Sequence, residues 1–402
     1  MPNSTPATRL NIARCFRDFG DGFVAVLLPV YLTALGLGPF EVGIVATLAL
    51  LGSALMTVSI GLRSSRTDHR LLLIAASVLM VATGIAFAGT SSFPILLLVA
   101  FVGTINPSAG SVSIFVPLEH AVLAGSVPDS DRTRMFARYS LIGALAAAAG
   151  SLAAAVPELL GQIGMMRMTA LKAMFLLYAA LGVAGGFMYR SLPKGTFEGK
   201  EKRRALGQSR HIVYKLAALF SIDAFAGGFV VQSLLALWLF NRFGLSLAVA
   251  GVFFFWSGLF SAISFPVAAR LSRHIGLINT MVFTHIPSSL CLIGAAVSPS
   301  LEMALALLLA RALLSQMDVP TRSSYVMAVV TPEERAAAAS VTAVPRSLAA
   351  AASPALAGAL FAAGYAALPL ILCGMLKIMY DLLLLRLFRH IKPPEEQERV
   401  TT

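Results

Sequence analysis

Stretches of apolar residues long enough to carry a helix across about 30 Å of hydrocarbon, roughly 20 residues each, recur along the whole chain. The pattern predicts twelve of them, at 12–35, 42–62, 71–88, 94–122, 135–156, 168–189, 212–240, 248–271, 278–297, 303–330, 339–361 and 368–387. They are apolar on both faces rather than alternating, which excludes the strands of a membrane barrel. With no water to satisfy it, lipid-exposed backbone must then be helical. The expectation is an all-α integral membrane protein with twelve transmembrane helices.

The polar intervals give orientation and organisation. Arg63, Arg66 and Arg70 follow the second span, Arg132 and Arg134 the fourth, Arg270 and Arg273 the eighth, and Arg386, Arg389 and Lys392 the twelfth. The alternate connections 36–41, 89–93 and 298–302 carry no Lys or Arg, so the positive-inside rule puts both termini in the cytoplasm. The longest polar stretch holds Lys194, Lys200, Lys202, Arg203, Arg204 and Arg210. It reads as a solvated linker meeting anionic headgroups. It divides the chain into a first six-helix half (1–190), the basic linker (191–211) and a second half with a short cytoplasmic tail (212–402).

An internal repeat supports that division. Gly22-Phe23-Val24 precedes Gly36, Gly43 and Gly52 much as Gly228-Phe229-Val230 precedes Gly244, Gly251 and Gly258, an offset of 206 to 208 residues. Pro117 and Asp131-Arg132 match Pro320 and Glu334-Arg335 at an offset of 203. Two pseudo-symmetric halves are expected.

Composition narrows the function. Of 402 residues 57% are hydrophobic and only 12% charged, with a mean hydropathy of +0.81, too little polar surface for a soluble globule. The net charge of +12 would suggest nucleic acid in a soluble chain. Here the basic residues sit between apolar runs, so the charge marks membrane orientation and no nucleic-acid partner is expected. Cys15, Cys291 and Cys373 have no CxxC spacing, so neither a disulfide framework nor a zinc site is indicated. Without HExxH, GxSxG or GxxxxGK[ST] motifs, the expectation is no catalytic residues, no metal, no cofactor and no enzyme or built-in ATPase. Arg14, Arg17, Asp18 and Asp21 interrupt the apolar core that a cleavable leader would need, so the first span is expected to be retained.

The six-plus-six arrangement, the basic middle loop and the half-to-half repeat resemble the major facilitator superfamily of secondary transporters. The superfamily's loop signature, G-x-L-A-D-R-x-G-R-R, falls on 61–70, where Gly61, Arg66 and Arg70 match and Ser65 replaces the acidic residue. The second-half counterpart, 269–277, keeps Leu271 and Gly276. The arginine of many exporters' fourth helix is missing from Thr104-Ile105-Asn106-Pro107-Ser108, and their Gly-Pro motif from 140–152. The resemblance implies alternating access, two halves rocking around a midplane site.

Charges inside a bilayer face a cavity or a partner. On the first span Arg14, Arg17, Asp18 and Asp21 share one face, with spacing that permits Arg14–Asp18 and Arg17–Asp21 pairs. On the tenth, Arg311, Ser315, Asp318 and Arg322 at i, i+4, i+7 and i+11 predict a single polar stripe, with Arg311 placed to fork onto an anionic group. Asp223 has no opposite charge within four residues, which makes it, with Asp21 and Asp318, a proton-coupling candidate unless a tertiary partner exists. Glu119, Arg138 and Arg346, with Arg17 and Arg322, are candidate gate residues whose salt bridges would close the cavity in one state. Asn106 and Gln232, with Arg311 and Ser315, are candidate substrate contacts. Lys377 and Asp381 read as a local pair on a peripheral helix.

Together these predict a monomeric multi-pass protein of the plasma (cell inner) membrane that moves a small-molecule organic solute by proton-coupled efflux. The alternative is a proton-coupled uptake symporter for a small organic anion.

Overall fold

The computed structural model of the chain describes residues 6–63, 68–109, 113–126, 129–193 and 206–391, and among them no strand occurs. The basic stretch 194–205, Arg66 and Lys392 lie outside the described residues, as do the side chains of Arg63, Asp131 and Arg132.

The first long helices are α1 (Pro6–Ala34), α2 (Pro39–Arg63) and α3 (His69–Gly89), the last capped by Asp68, whose side chain accepts the Arg70 N–H. The fourth predicted span is not one helix. It is α4 (Phe93–Val102) and α5 (Phe115–Ser126), separated where Pro107 lacks a donor and the Asn106 side chain takes the Ser108 N–H at 2.9 Å instead. Then come α6 (Asp129–Leu152), a 3-10 turn and α7 (Val156–Gln162), and α8 (Arg167–Arg190).

The seventh predicted span breaks likewise, into α9 (Arg210–Gly228) and α10 (Gln232–Phe243), and Gly244, at φ 62°, ends α10 in the left-handed region that glycine alone enters freely. After α11 (Leu247–Ile275) and α12 (Leu277–Val297), the tenth span is α13 (Leu301–Ser315) followed by α14 (Asp318–Ala328). Pro320 has no N–H to offer the Gln316 carbonyl, so the ladder restarts after Ser315. The predicted stripe is thereby split: Arg311 and Ser315 belong to one helix, Asp318 and Arg322 to the next. A 3-10 turn (Pro332–Glu334), α15 (Arg335–Ala362) and α16 (Leu368–Phe388) complete the described chain.

Among the described residues nine helical segments are long and apolar enough to cross a membrane. Helix α1, though 29 residues long, is outside that set and carries Arg14, Arg17, Asp18 and Asp21. The surfaces confirm the solvent: Leu71, Val78, Phe187, Phe283 and Met375 are each about 60% exposed, while Asp21, Glu119, Asp223 and Asp381 are buried. Polar inside and apolar outside is the arrangement of a multi-pass integral membrane protein.

The chain forms two compact units, one of residues 1–200, 231–258 and 354–363, the other of 201–230, 259–353 and 364–402. In the first, α1 packs on α6 and α8 so closely that a Cβ on Gly22 would strike the Ala147 carbonyl and one on Gly150 the Phe19 carbonyl, the small-residue packing of helices in lipid. The same unit includes the start of α11, whose Leu247 and Ala248 N–H groups donate to the Glu158 carboxylate at 2.6 and 3.0 Å. In the second unit, α9, α12, α14 and α16 enclose an apolar core of Leu216, Phe220, Met281, Tyr325 and Tyr380.

Candidate functional site

Among the described residues each unit holds a buried polar cluster. In the first, Arg17 donates from Nη1 to Glu119 at 2.8 Å and lies 3.1 Å from Asp18, while Arg14 pairs with Asp18 at 2.9 Å. Glu119, fully buried on α5, also accepts the hydroxyls of Tyr139 and, at 2.6 Å, Tyr189. The Arg14 guanidinium lies over the Tyr139 ring and that of Arg17 over Phe115, contacts that gain strength when desolvated. The predicted Arg14–Asp18 pair is present. Arg17, however, turns to Glu119 and Asp18 rather than Asp21.

Asp21 is left apart. It is 1% exposed, its Oδ1 accepts the Tyr178 hydroxyl at 3.3 Å, and among the described residues no basic group lies within ion-pair distance of it. Tyr178 also donates to the Thr104 carbonyl at 3.0 Å and lies 3.1 Å from its hydroxyl. Thr104 opens the break between α4 and α5, and two residues on is Asn106, 3% exposed. The Pro107 carbonyl accepts the Ser233 N–H at 3.0 Å, bringing Gln232, whose buried Nε2 has no partner among the described residues, to the same region. Asn106 thus follows the end of α4 and Gln232 begins α10, each beside a residue of the Ser233-to-Pro107 hydrogen bond.

The second cluster changes several expectations. Asp223 has two tertiary partners, Lys377 at 2.6 Å and Arg322 at 3.2 Å, so the argument from an unpartnered carboxylate no longer applies to it. Arg322 also pairs with Asp318, four residues back on α14. Lys377 and Asp381 do not form the local pair expected of them: Lys377 turns to Asp223, and Asp381 accepts from His285 Nδ1, with both carboxylate oxygens at 3.1 Å. Sequence reasoning passed over His285, although a histidine within an apolar span is itself a signal of function. It passed over Tyr139, Tyr178 and Tyr189 because tyrosine is common in apolar segments.

The predicted gate residues fall within their own units. Glu119 meets Arg17, and Arg322 meets Asp223 and Asp318. Arg138 and Arg346 are both exposed. The strongest electrostatic neighbour of Arg346 is another cation, Arg322, ahead of Asp223 and Asp318. Arg311 has no carboxylate within ion-pair distance among the described residues, and its electrostatic neighbours are Cys373 and Cys291. Its backbone carbonyl accepts from Ser288 at 3.5 Å. Ser315 ends α13, half-buried.

The sequence profile described as Major Facilitator Superfamily matches residues 10–315 and, separately, 217–401. The chain belongs to the major facilitator superfamily. It is 22% identical over 404 residues to an uncharacterized membrane protein of Saccharomyces cerevisiae, covering 91% of this chain and 90% of that one. Its fold is similar to that of a bacterial homolog of the human lysosomal transporter Spinster, in an inward-facing and occupied conformation: TM-score 0.74, 18% identity, 96% of this chain and 99% of that one. It is equally similar to the nucleoside transporter NupG, with TM-score 0.74, 12% identity, and 96% and 100% covered. A superfamily member is a secondary transporter rather than an enzyme.

Proposed function

We propose that the chain is an alternating-access transporter of twelve spans in two halves, with both termini cytoplasmic, that takes up a small organic anion together with protons across the plasma membrane. The observation that supports the substrate class is a pair of second-unit arginines outside the ion pairs of the described residues: Arg311, and Arg346, which is exposed and feels the like charge of Arg322 as well as Asp223 and Asp318. A substrate carboxylate or phosphate would relieve that repulsion through forked hydrogen bonds, and Arg311 has no carboxylate within ion-pair distance among the described residues. Uptake of an anion requires a coupled cation: entry against a negative interior is opposed by about 2.3 kcal/mol per charge per 100 mV, and a co-transported proton cancels that term, so that a proton gradient can drive accumulation.

Asp21 is the carboxyl suited to carry the proton, because it exchanges one without breaking an ion pair, whereas Asp223 and Asp318 are held by Lys377 and Arg322. Uptake of labelled organic anions into proteoliposomes under an imposed pH gradient tests the reading. Gradient-driven accumulation is expected, with affinity reduced in Arg346→Ala and partly restored in Arg346→Lys. Asp21→Asn should keep substrate exchange but lose the response to the gradient. Equal uptake of cationic solutes would refute the anion assignment, and gradient-driven uptake by Asp21→Asn would refute the coupling assignment.

A further inference from the structure

The outer connections of the expected topology are poor in basic residues. Of the six, 36–41, 89–93, 298–302 and 362–367 hold neither Lys nor Arg, and only Arg167 and Arg242 interrupt the pattern, in 157–167 and 241–247. The positive-inside rule gives such exceptions no part in setting orientation. In the structure both connections border one cavity, of about 360 Å³, in the first unit. That volume is at the lower end of the range for small-solute sites, roughly 300–1,000 Å³. Pro29, Val30 and Leu237, all buried, form its floor, and Thr33, Asn241 and Arg167, all exposed, form its mouth.

The chemistry of the walls selects the occupant. Glu158 also lines the cavity, but both its oxygens are engaged: Oε1 accepts the Leu247 N–H at 2.6 Å and Oε2 the Ala248 N–H at 3.0 Å, in the first turn of α11, where a helix presents positive partial charge. Arg167 differs. It is exposed and in no ion pair among the described residues, and its guanidinium offers a fork of donors matched to a carboxylate or phosphate. The Asn241 amide and the Thr33 hydroxyl add uncharged hydrogen-bonding groups. Arg242, next to Asn241 and with its guanidinium over the Phe243 ring, adds positive potential to the same surface.

We propose that this cavity is a binding site on the outer face for a small organic anion with an apolar body, its charged end on Arg167 and its body toward Pro29, Val30 and Leu237. The site is distinct from Asp21 and Arg346. Pro29 lies eight residues beyond Asp21 on α1, about 12 Å along the helix, and Leu237 five residues beyond Gln232 on α10. The cavity therefore stands at the outer ends of the two helices that carry Asp21 and Gln232, and it collects the solute on the side from which uptake begins. Its outer placement rests on the proposed topology and its role on the proposed uptake. Anion binding rests on neither, and the experiment keeps the three apart.

Ala34, exposed on the cavity wall and without a polar side chain, is replaced by Ala34→Cys in the full-length protein with its three native cysteines changed to Ala. Should that background fail to fold, the native cysteines are kept and the labelling of the parent is subtracted. Cells expressing the variant are treated with a membrane-impermeant maleimide, alone or with benzoate, its neutral analogue benzamide, or the cation benzylamine. The expected result is labelling from outside that benzoate slows and the other two do not. The benzoate concentration for half-protection should rise about tenfold or more in Arg167→Gln and by less in Arg167→Lys, and protection should weaken as ionic strength rises. No protection by benzoate, equal protection by all three probes, or benzoate protection unchanged in Arg167→Gln overturns the anion site. Labelling from the cytoplasmic face alone, in inverted vesicles, overturns the outer placement and the proposed topology with it. Anion-selective protection in a protein that accumulates no organic anion in proteoliposomes would leave the site standing and count against the uptake reading alone.

Discussion

Removal of the Glu119 carboxylate tests whether the first-unit cluster anchors helices or opens and closes. In Glu119→Ala the Arg17 ion pair at 2.8 Å is lost, and the hydroxyls of Tyr139 and Tyr189 lose their acceptor, all at a position with no exposure. Breaking a buried pair from one side costs about 3–5 kcal/mol, and each orphaned phenol adds about 1–3 kcal/mol if no water reaches it. Arg17 retains Asp18 at 3.1 Å, which draws the sum to its lower end, about 5 kcal/mol. For a unit of roughly 240 residues, at about 2–4 °C per kcal/mol, the Tm falls by about 10–20 °C. Thermal unfolding of the purified full-length protein in detergent, followed by circular dichroism, measures it. The double variant Arg17→Leu with Glu119→Leu should lose less than the sum of the two single losses, because it removes both charges together. A Glu119→Ala protein that melts within 2 °C of wild type yet no longer transports would refute the anchoring argument and return Glu119 to the role of a gate.

Two further outcomes follow from the packing. Gly22→Val drives a branched side chain into the Ala147 carbonyl of α6, and since both partners are helix backbone it should cost at least about 2 kcal/mol, read from the same melting curve; a neutral effect would show that α1 and α6 separate freely. Glu334 accepts the N–H groups of Gly207, Gln208 and Ser209 at 2.7, 2.9 and 3.0 Å, clamping the start of α9. Hydrogen bonds from the Ser209 side chain and from these N–H groups hold its carboxyl below the ordinary value of 4.5. A depressed carboxyl stabilises the fold fully above its unfolded value and loses that contribution as pH falls through the folded one. Hydrogen exchange at 207–209, corrected for intrinsic rate, should therefore show protection at pH 7 that fades below about pH 4, and in Glu334→Gln protection should already be low at pH 7.

Hydropathy, a local property, made the membrane, the helices and the intramembrane charges readable from the chain alone, because 20 apolar residues in lipid admit only a few structures. Even the helix breaks have local causes, Pro107 and Pro320, although span counting joined across them. The pairing of charges was not readable. Asp223 meets Lys377 across 154 positions, Arg17 meets Glu119 across 102, and His285 meets Asp381 across 96. Within one helix only neighbours three or four residues apart can be foreseen, and so Lys377 and Asp381 looked like partners of each other. Which carboxylate an arginine reaches depends on the rotation and separation of whole helices, set by close approaches such as Gly22 on Ala147 and by the core around Phe220 and Tyr380. The sequence by itself determined a helical transporter with charges in its interior; the tertiary structure decided which of those charges pair, because partners far apart in sequence meet only where whole helices pack.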